Sequence, residues 1–493
     1  MSNETIESFE MTKGGKSGDL LSTANREQPL KVGLLTCGYF EYWRMYDGLA
    51  EQITKDMQTI ADNLSQKYDL FYPGLVDTLD KANDAGMAFK EQQIDVLIVA
   101  EGTYCPDFFV HQALIHLNKD ISIICFASQA HRKLAFDTTY DQSLRNSGPM
   151  GLIQLTCGFR KMGKYENYEV VAGAVDDPQS YQEIDRLLQV FQCIKNLSKM
   201  TIGTMGHVFR GMYDFNFDIT AVNGKFGPHI MDIQIDHLMS IFNEIKEDDK
   251  RIAQWVEKTK KSYAVSDLTD DDIARSAKLG IALWDLIDRY KLDGLVLLGQ
   301  HFIEVQANAS CYLGLAEILS NDRAIAVTEG DVIGCVMSKV MKDLTGSTAF
   351  FGEWEEMDME RNAVMLLGHG FIDPRMARKD RPVKVSTACE NWGFQGNSVG
   401  FEATYEPGPI TMTHAVQDTK GWRILISEGE LLDTPPLTIK ESSMIVKVEM
   451  PIKEYFKKLM RYGFSHHSIA APGHFGDQME IFARQLGLEV CRL

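Results

Sequence analysis

From Lys31 onward the chain alternates short, nearly continuous apolar runs with longer stretches in which apolar residues recur every three or four positions. The runs KVGLLTC, DLFYPG, IDVLIVAEG and ISIICFA read as strands, and the stretches Leu49 to Tyr68, Thr78 to Gln93 and Phe108 to Leu117 read as helices. Strands that are apolar on both faces and alternate with helices predict a parallel sheet covered on both sides. Its ligand-binding edge would carry the loops Cys37 to Tyr46 and Glu101 to Asp107.

The pattern restarts near Met200. MTIGTMGHVFRGMYDF reads as a strand and a Gly-containing turn, followed by helices at about 234 to 247 and 271 to 290 and the strand LDGLVLLGQ. This second unit ends in AIAVTEGDVIGCVMSKVMKDL, where an apolar run breaks at Glu329-Gly330-Asp331 and then takes up helical spacing with Asp331 as N-cap. Beyond about residue 350 the runs AVMLLGH, PVKVST, GWRILISEGEL and SMIVKVEM are punctuated by Gly and Pro, which predicts an antiparallel domain before a last helix running to about Leu486. The fold class is α/β: two Rossmann-like, doubly wound parallel-sheet domains followed by a C-terminal, mostly antiparallel, barrel-like β domain. The expected boundaries are 30–175, 176–345 and 346–493, and the polar residues 1–29 are expected to form a loosely ordered, flexible extension.

Composition narrows the class. A chain of 493 residues, 44% hydrophobic, can bury extensive cores, and a net charge of −19 argues against nucleic acid or an anionic membrane as partner. The first thirty residues lack the apolar core of a secretory signal, so a cytoplasmic protein is expected. Nine cysteines without CxxC spacing read as free thiols rather than disulfides or a zinc site. GYFEYWRMYD after the first strand is too bulky for a dinucleotide loop, and no organic cofactor is expected. Its Trp43 and Arg44 are candidates to stack on and hydrogen-bond a polyol.

Candidate chemistry lies in three segments. Glu329 stands at a predicted strand end, where α/β sheets bind ligands. Glu353 follows a small apolar stretch in STAFFGEWEEMDMERNAVMLLGHGFIDP, which also holds His369. His466, His467 and His474 fall within nine positions of YGFSHHSIAAPGHFG. Glu329, Glu353 and His467 are a set suited to a hard divalent cation with coordination positions left for a substrate.

In this order and spacing, the TEGD of Glu329, the carboxylate Glu353, the LLGH of His369 and the HHSIAAPGHFG of His467 and His474 resemble the L-fucose and L-arabinose isomerase superfamily over most of the chain. The resemblance implies Glu329, Glu353 and His467 as metal ligands and points to His369 and His474 as substrate contacts, beside the Trp43 and Arg44 candidates read from the first loop. Mn²⁺ is the implied ion, with Co²⁺, Fe²⁺ or Mg²⁺ also suited to two carboxylates and an imidazole. It also implies a homo-oligomer, a hexamer, trimer or tetramer, with active sites near subunit interfaces.

The expected activity is metal-dependent aldose–ketose isomerisation of an open-chain sugar through a cis-enediolate, with Glu329 and Glu353 as the proton-transfer pair. Glu353 leans toward arabinose isomerases and the His474 turn toward fucose isomerases, so the sugar stays open. One alternative is an aldose modified at C6, such as a sulfonated sugar, whose anion would meet Arg44 or Arg210. A metal-dependent hydrolase and a non-catalytic sugar-binding protein are the others.

Overall fold

The computed structural model describes residues 29–493, apart from 209–210, 298–299 and 391–392 and the side chain of Gln300. Residues 1–28 of the expected extension 1–29, and Arg210, lie outside the described residues. Two compact units result, Gln28–Gln192 and Cys193–Leu493.

In Gln28–Gln192 the strands Asp69–Phe71, Lys31–Cys37, Val96–Glu101, Ser122–Gln129 and Tyr168–Ala174 pair in that order, all parallel, with Leu75–Val76 alongside the end of Lys31–Cys37. Val96–Glu101 is buried at every position, because helices cover both faces. Helix Leu49–Ser65 buries Ile53, Met57, Ile60 and Leu64, the three-and-four spacing read from the sequence.

The unit Cys193–Leu493 combines two kinds of sheet. Ile325–Val327, Gly294–Leu297, Thr201–Met205 and His229–Ile233 form a second parallel sheet in that order. The C-terminal strands then pair antiparallel around a ring: Gly408–Asp418 to His467–Pro472, on to Phe350–Asp358, Ala363–Gly368, Ser443–Lys447 and Gly421–Leu431, and back to Gly408–Asp418. Closure leaves no free edge among these six strands, which is the barrel that the short, turn-punctuated runs predict. Glu489–Arg492 adds a parallel strand outside the ring.

Some elements have no counterpart in the pattern read above. Helix Tyr312–Ser320 is buried from Tyr312 through Leu319, so it carries no polar face to reveal a helical period. Helices Lys250–Ser262 and Ile452–Tyr462 are amphipathic but follow closely on other elements. Among the described residues no helix is long and apolar enough to cross a membrane.

Candidate functional site

Glu329 follows strand Ile325–Val327 at the carboxyl edge of the second parallel sheet. Its φ is +62° and that of Gly330 is +84°. The left-handed conformation is uncommon for a side chain with a Cβ, and here it turns the chain sharply between strand and helix. Asp331 then caps helix Val332–Thr345, its Oδ1 accepting the Gly334 N–H at 2.6 Å.

The barrel supplies the rest. Glu353 and His467 are directly opposite partners in the antiparallel pair of Phe350–Asp358 with His467–Pro472, so their side chains share one face. In the pairing of the same strand with Ala363–Gly368 a bulge falls between Trp354 and Glu356, two residues beyond Glu353. On the other neighbouring strand Leu367 faces Glu353, and His369 follows just past the strand end.

These elements bring Glu329, Glu353, His466 and His467 together, with one potential donor atom of each within 4.8 Å of the others. His467 Nε2 lies 3.4 Å from Glu329 Oε2, and His466 Nε2 lies 3.6 Å from Glu353 Oε1 and 4.0 Å from Glu329 Oε2. His369 Nε2 is 3.2 Å from Glu353 Oε1, without the alignment of a hydrogen bond. The His467 and His369 Nε2 atoms are both buried with no hydrogen-bond partner. Buried imidazole nitrogens facing carboxylates with their bonding unmet are what a bound cation would satisfy, and the donor set of two carboxylates with imidazoles suits a divalent ion of the Mn²⁺ type.

Each adjacent histidine has a carboxylate behind it. His467 Nδ1 donates to Asp331 Oδ2 at 3.0 Å, and His466 Nδ1 donates to Asp214 Oδ2 at 2.7 Å. Both Nε2 atoms are thereby turned toward Glu329 and Glu353. Phe215 lies over both rings, 4.8 Å from His466 and 4.4 Å from His467 between centroids, and Phe351 meets His467 from another side at 4.5 Å.

The electrostatics follow from this proximity. Burial pushes the carboxyls of Glu329 and Glu353 up, but the surrounding histidines outweigh it and hold both below their ordinary values. Burial lowers His369, His466 and His467, yet each lies above its ordinary value because of the facing carboxylates: Glu353 and Glu329 for His369, Asp214 for His466, Asp331 and Glu329 for His467. The His466 partnership draws Asp214 down to about 2 despite its burial.

Trp43, Arg44 and His474 are not members of this cluster. Trp43 and Arg44 belong to the unit Gln28–Gln192, where Trp43 Nε1 donates to Asp77 Oδ2 at 3.0 Å and Arg44 is exposed beside Glu41. His474 is exposed on the turn before helix Gly476–Leu486, and its Nε2 donates to the Gly429 carbonyl at 3.3 Å. His301, near the start of helix Gln300–Ala307, is raised by the charge of Glu329 but lowered more strongly by burial. Sequence reasoning assigned no role to Asp214 or His466 and saw Asp331 only as a cap. The paired histidines and the carboxylate two residues after Glu329 were the available signals.

Comparison with known proteins agrees with this architecture. Residues 346–493 match the family model described as L-fucose isomerase, C-terminal domain. A protein named sulfoquinovose isomerase from Alkalicoccus urumqiensis is 20% identical over 304 residues, 61% of this chain and 66% of the relative, so the match spans just under two thirds of that protein. A second protein of that name, from Clostridium sp. (strain MSTE9), is 20% identical over 80% of this chain and 89% of its own length. L-arabinose isomerase from Serratia proteamaculans (strain 568) is 19% identical over 69% of this chain and 70% of its own. Residues 346–493, which hold the closed barrel, are thus similar to the C-terminal domain of L-fucose isomerase, and the relatives named as sugar isomerases carry the similarity, at 19–20% identity, beyond that domain.

Proposed function

We propose that the protein is a divalent-metal-dependent aldose–ketose isomerase that moves a proton between C2 and C1 of an open-chain sugar. The observation that carries this reading is the convergence of Glu329 and Glu353 on the buried, unpartnered Nε2 atom of His467. Glu329, Glu353 and His467 would hold the ion, with His369 and His466 beside them. When bound, a divalent ion of the Mn²⁺, Co²⁺, Fe²⁺ or Mg²⁺ class supplies Lewis-acid stabilisation to negative charge on the sugar oxygens.

The chain's own groups do the proton work. Glu329 and Glu353 are held ionised by their histidine neighbours, so one of them can take the C2 proton while the other serves the oxygens as the cis-enediolate forms and collapses. His369, beside Glu353, and His466, anchored on Asp214, are placed to donate hydrogen bonds to sugar hydroxyls. Phe215 and Phe351 exclude water from the His467 side. Trp43, Arg44 and His474 are proposed as further substrate contacts, and the assembly as a homo-oligomer.

A second reading of the substrate, a sugar bearing a C6 sulfonate, is favoured by the two relatives named sulfoquinovose isomerase. One experiment serves both. Chelator-stripped protein is restored with Mn²⁺ and given neutral aldoses and sulfoquinovose in D₂O, with ketose formation and deuterium at C1 or C2 followed by NMR. Metal-dependent interconversion with solvent exchange supports isomerisation, and the sugar that turns over names the class. Metal binding with release of a leaving group would replace the reading with a hydrolase.

A further inference from the structure

Behind His467 a buried chain of polar groups runs away from the site. Asp331 Oδ2 accepts from His467 Nδ1 at 3.0 Å and also from His414 Nε2 at 2.9 Å. The other ring nitrogen of His414 donates to the Ala415 carbonyl at 2.9 Å, and Asp331 Oδ1 accepts the Gly334 N–H. Asp331 is 1% exposed, His414 2% and His467 0%, so no water shares these bonds at the surface. His414 lies on strand Gly408–Asp418, and helix Val332–Thr345 packs on both that strand and His467–Pro472.

We propose that His414 and Asp331 are positioning residues for the metal centre: the doubly donating His414 ring fixes the Asp331 carboxylate, which in turn holds His467 with Nε2 toward Glu329 and Glu353. Both nitrogens of His414 face acceptors that cannot donate, a carbonyl and a carboxylate, so the ring donates from both. The carboxylate is thus held at Oδ1 by the helix cap and at Oδ2 by a ring pinned to its own strand. With that atom immobile, the tautomer of His467 is set to Nδ1–H and its ring plane is defined. His414 has no contact with the carboxylates of the site and acts only through Asp331. Without it, a buried carboxylate loses one of three donors and is free to rotate about its side chain.

This inference rests on the reading that the site holds a divalent cation, and the test separates the two. Metal-stripped full-length protein is titrated with Mn²⁺ alone by calorimetry, and its Co²⁺ form is examined by visible absorption. His414→Leu, checked for folding by circular dichroism, is expected to weaken Mn²⁺ binding about 10- to 100-fold and to change the Co²⁺ bands. His414→Gln, which can still donate to Asp331, is expected to restore most of the affinity. Asp331→Asn, which keeps a capping oxygen, is expected to lose affinity as His414→Leu does, and it decides the matter should His414→Leu not fold. Wild-type affinity and an unchanged Co²⁺ spectrum in the folded variants, even with a lowered melting temperature, would show a merely structural role and overturn the proposal. Failure of the wild type itself to bind either ion would overturn the metal reading, and the proposal with it.

Discussion

Gly370 offers a direct test of how rigidly the site is built. It follows His369, its N–H donates to Glu441 Oε2 at 2.6 Å, and its φ is +68°. A Cβ added there would stand 2.5 Å from Cε2 and 2.6 Å from Cδ2 of Tyr312, which is only 4% exposed and cannot swing into solvent. Gly370→Ala therefore carries two costs, about 1–2 kcal/mol for the left-handed backbone and about 1–3 kcal/mol for overpacking a buried ring. The total expected is about 2–5 kcal/mol. Gly463 is the control: its φ is +63°, but no atom lies within 4 Å of the added Cβ, so Gly463→Ala bears the backbone cost alone. Urea unfolding of both variants in the metal-stripped chain isolates the Tyr312 contact as their difference. Adding Tyr312→Leu to Gly370→Ala should recover part of that difference. Turnover should fall in Gly370→Ala beyond what stability explains, because His369 is carried away from Glu353. Equal destabilisation by the two alanines would refute the reasoning, since it would mean that the ring yields freely.

Three further outcomes are expected. Glu329→Gln and Glu353→Gln should each lower kcat by about 10²–10⁴-fold in steady-state assays, and substantial activity in both would defeat their assignment as the proton-transfer pair. Because the histidines of the site are held above their ordinary values, protons compete with metal over a higher pH range than for free imidazole. Mn²⁺ affinity measured by calorimetry should therefore climb with pH over a range displaced above the ordinary imidazole value of about 6.5, and a flat profile would contradict the assigned donors. In the unit Gln28–Gln192, burial pushes the Glu101 carboxyl up from 4.5 to about 8. Between those values the folded state keeps a proton that the unfolded chain has lost, so stability falls as pH rises through the window. Glu101→Gln should remove that dependence and stabilise the protein near pH 8 by a few kcal/mol, at about 1.4 kcal/mol per pH unit; urea midpoints at several pH values that stay parallel to wild type would exclude this.

What local pattern can encode was legible in the chain. KVGLLTC is the strand Lys31–Cys37, and the break at Glu329-Gly330-Asp331 is a strand, a tight turn and a helix capped by Asp331, because burial on two faces, helical spacing and capping chemistry each act within a few residues. Turn-punctuated runs likewise announced the C-terminal β domain, although its closure into a ring depends on pairings that no single run contains. Helix Tyr312–Ser320 stayed illegible, since full burial erases the polar stripe that marks a helix. The surroundings of the site belong wholly to tertiary structure. Cross-strand register sets Glu353 opposite His467, and packing of a helix on the barrel joins Asp331 to His414 across 83 positions and to His467 across 136. Sequence determines which groups are available, whereas the partner of a buried carboxylate or imidazole is chosen by whichever distant element the folded core brings within hydrogen-bond reach, because a buried polar group left without one is too costly to keep.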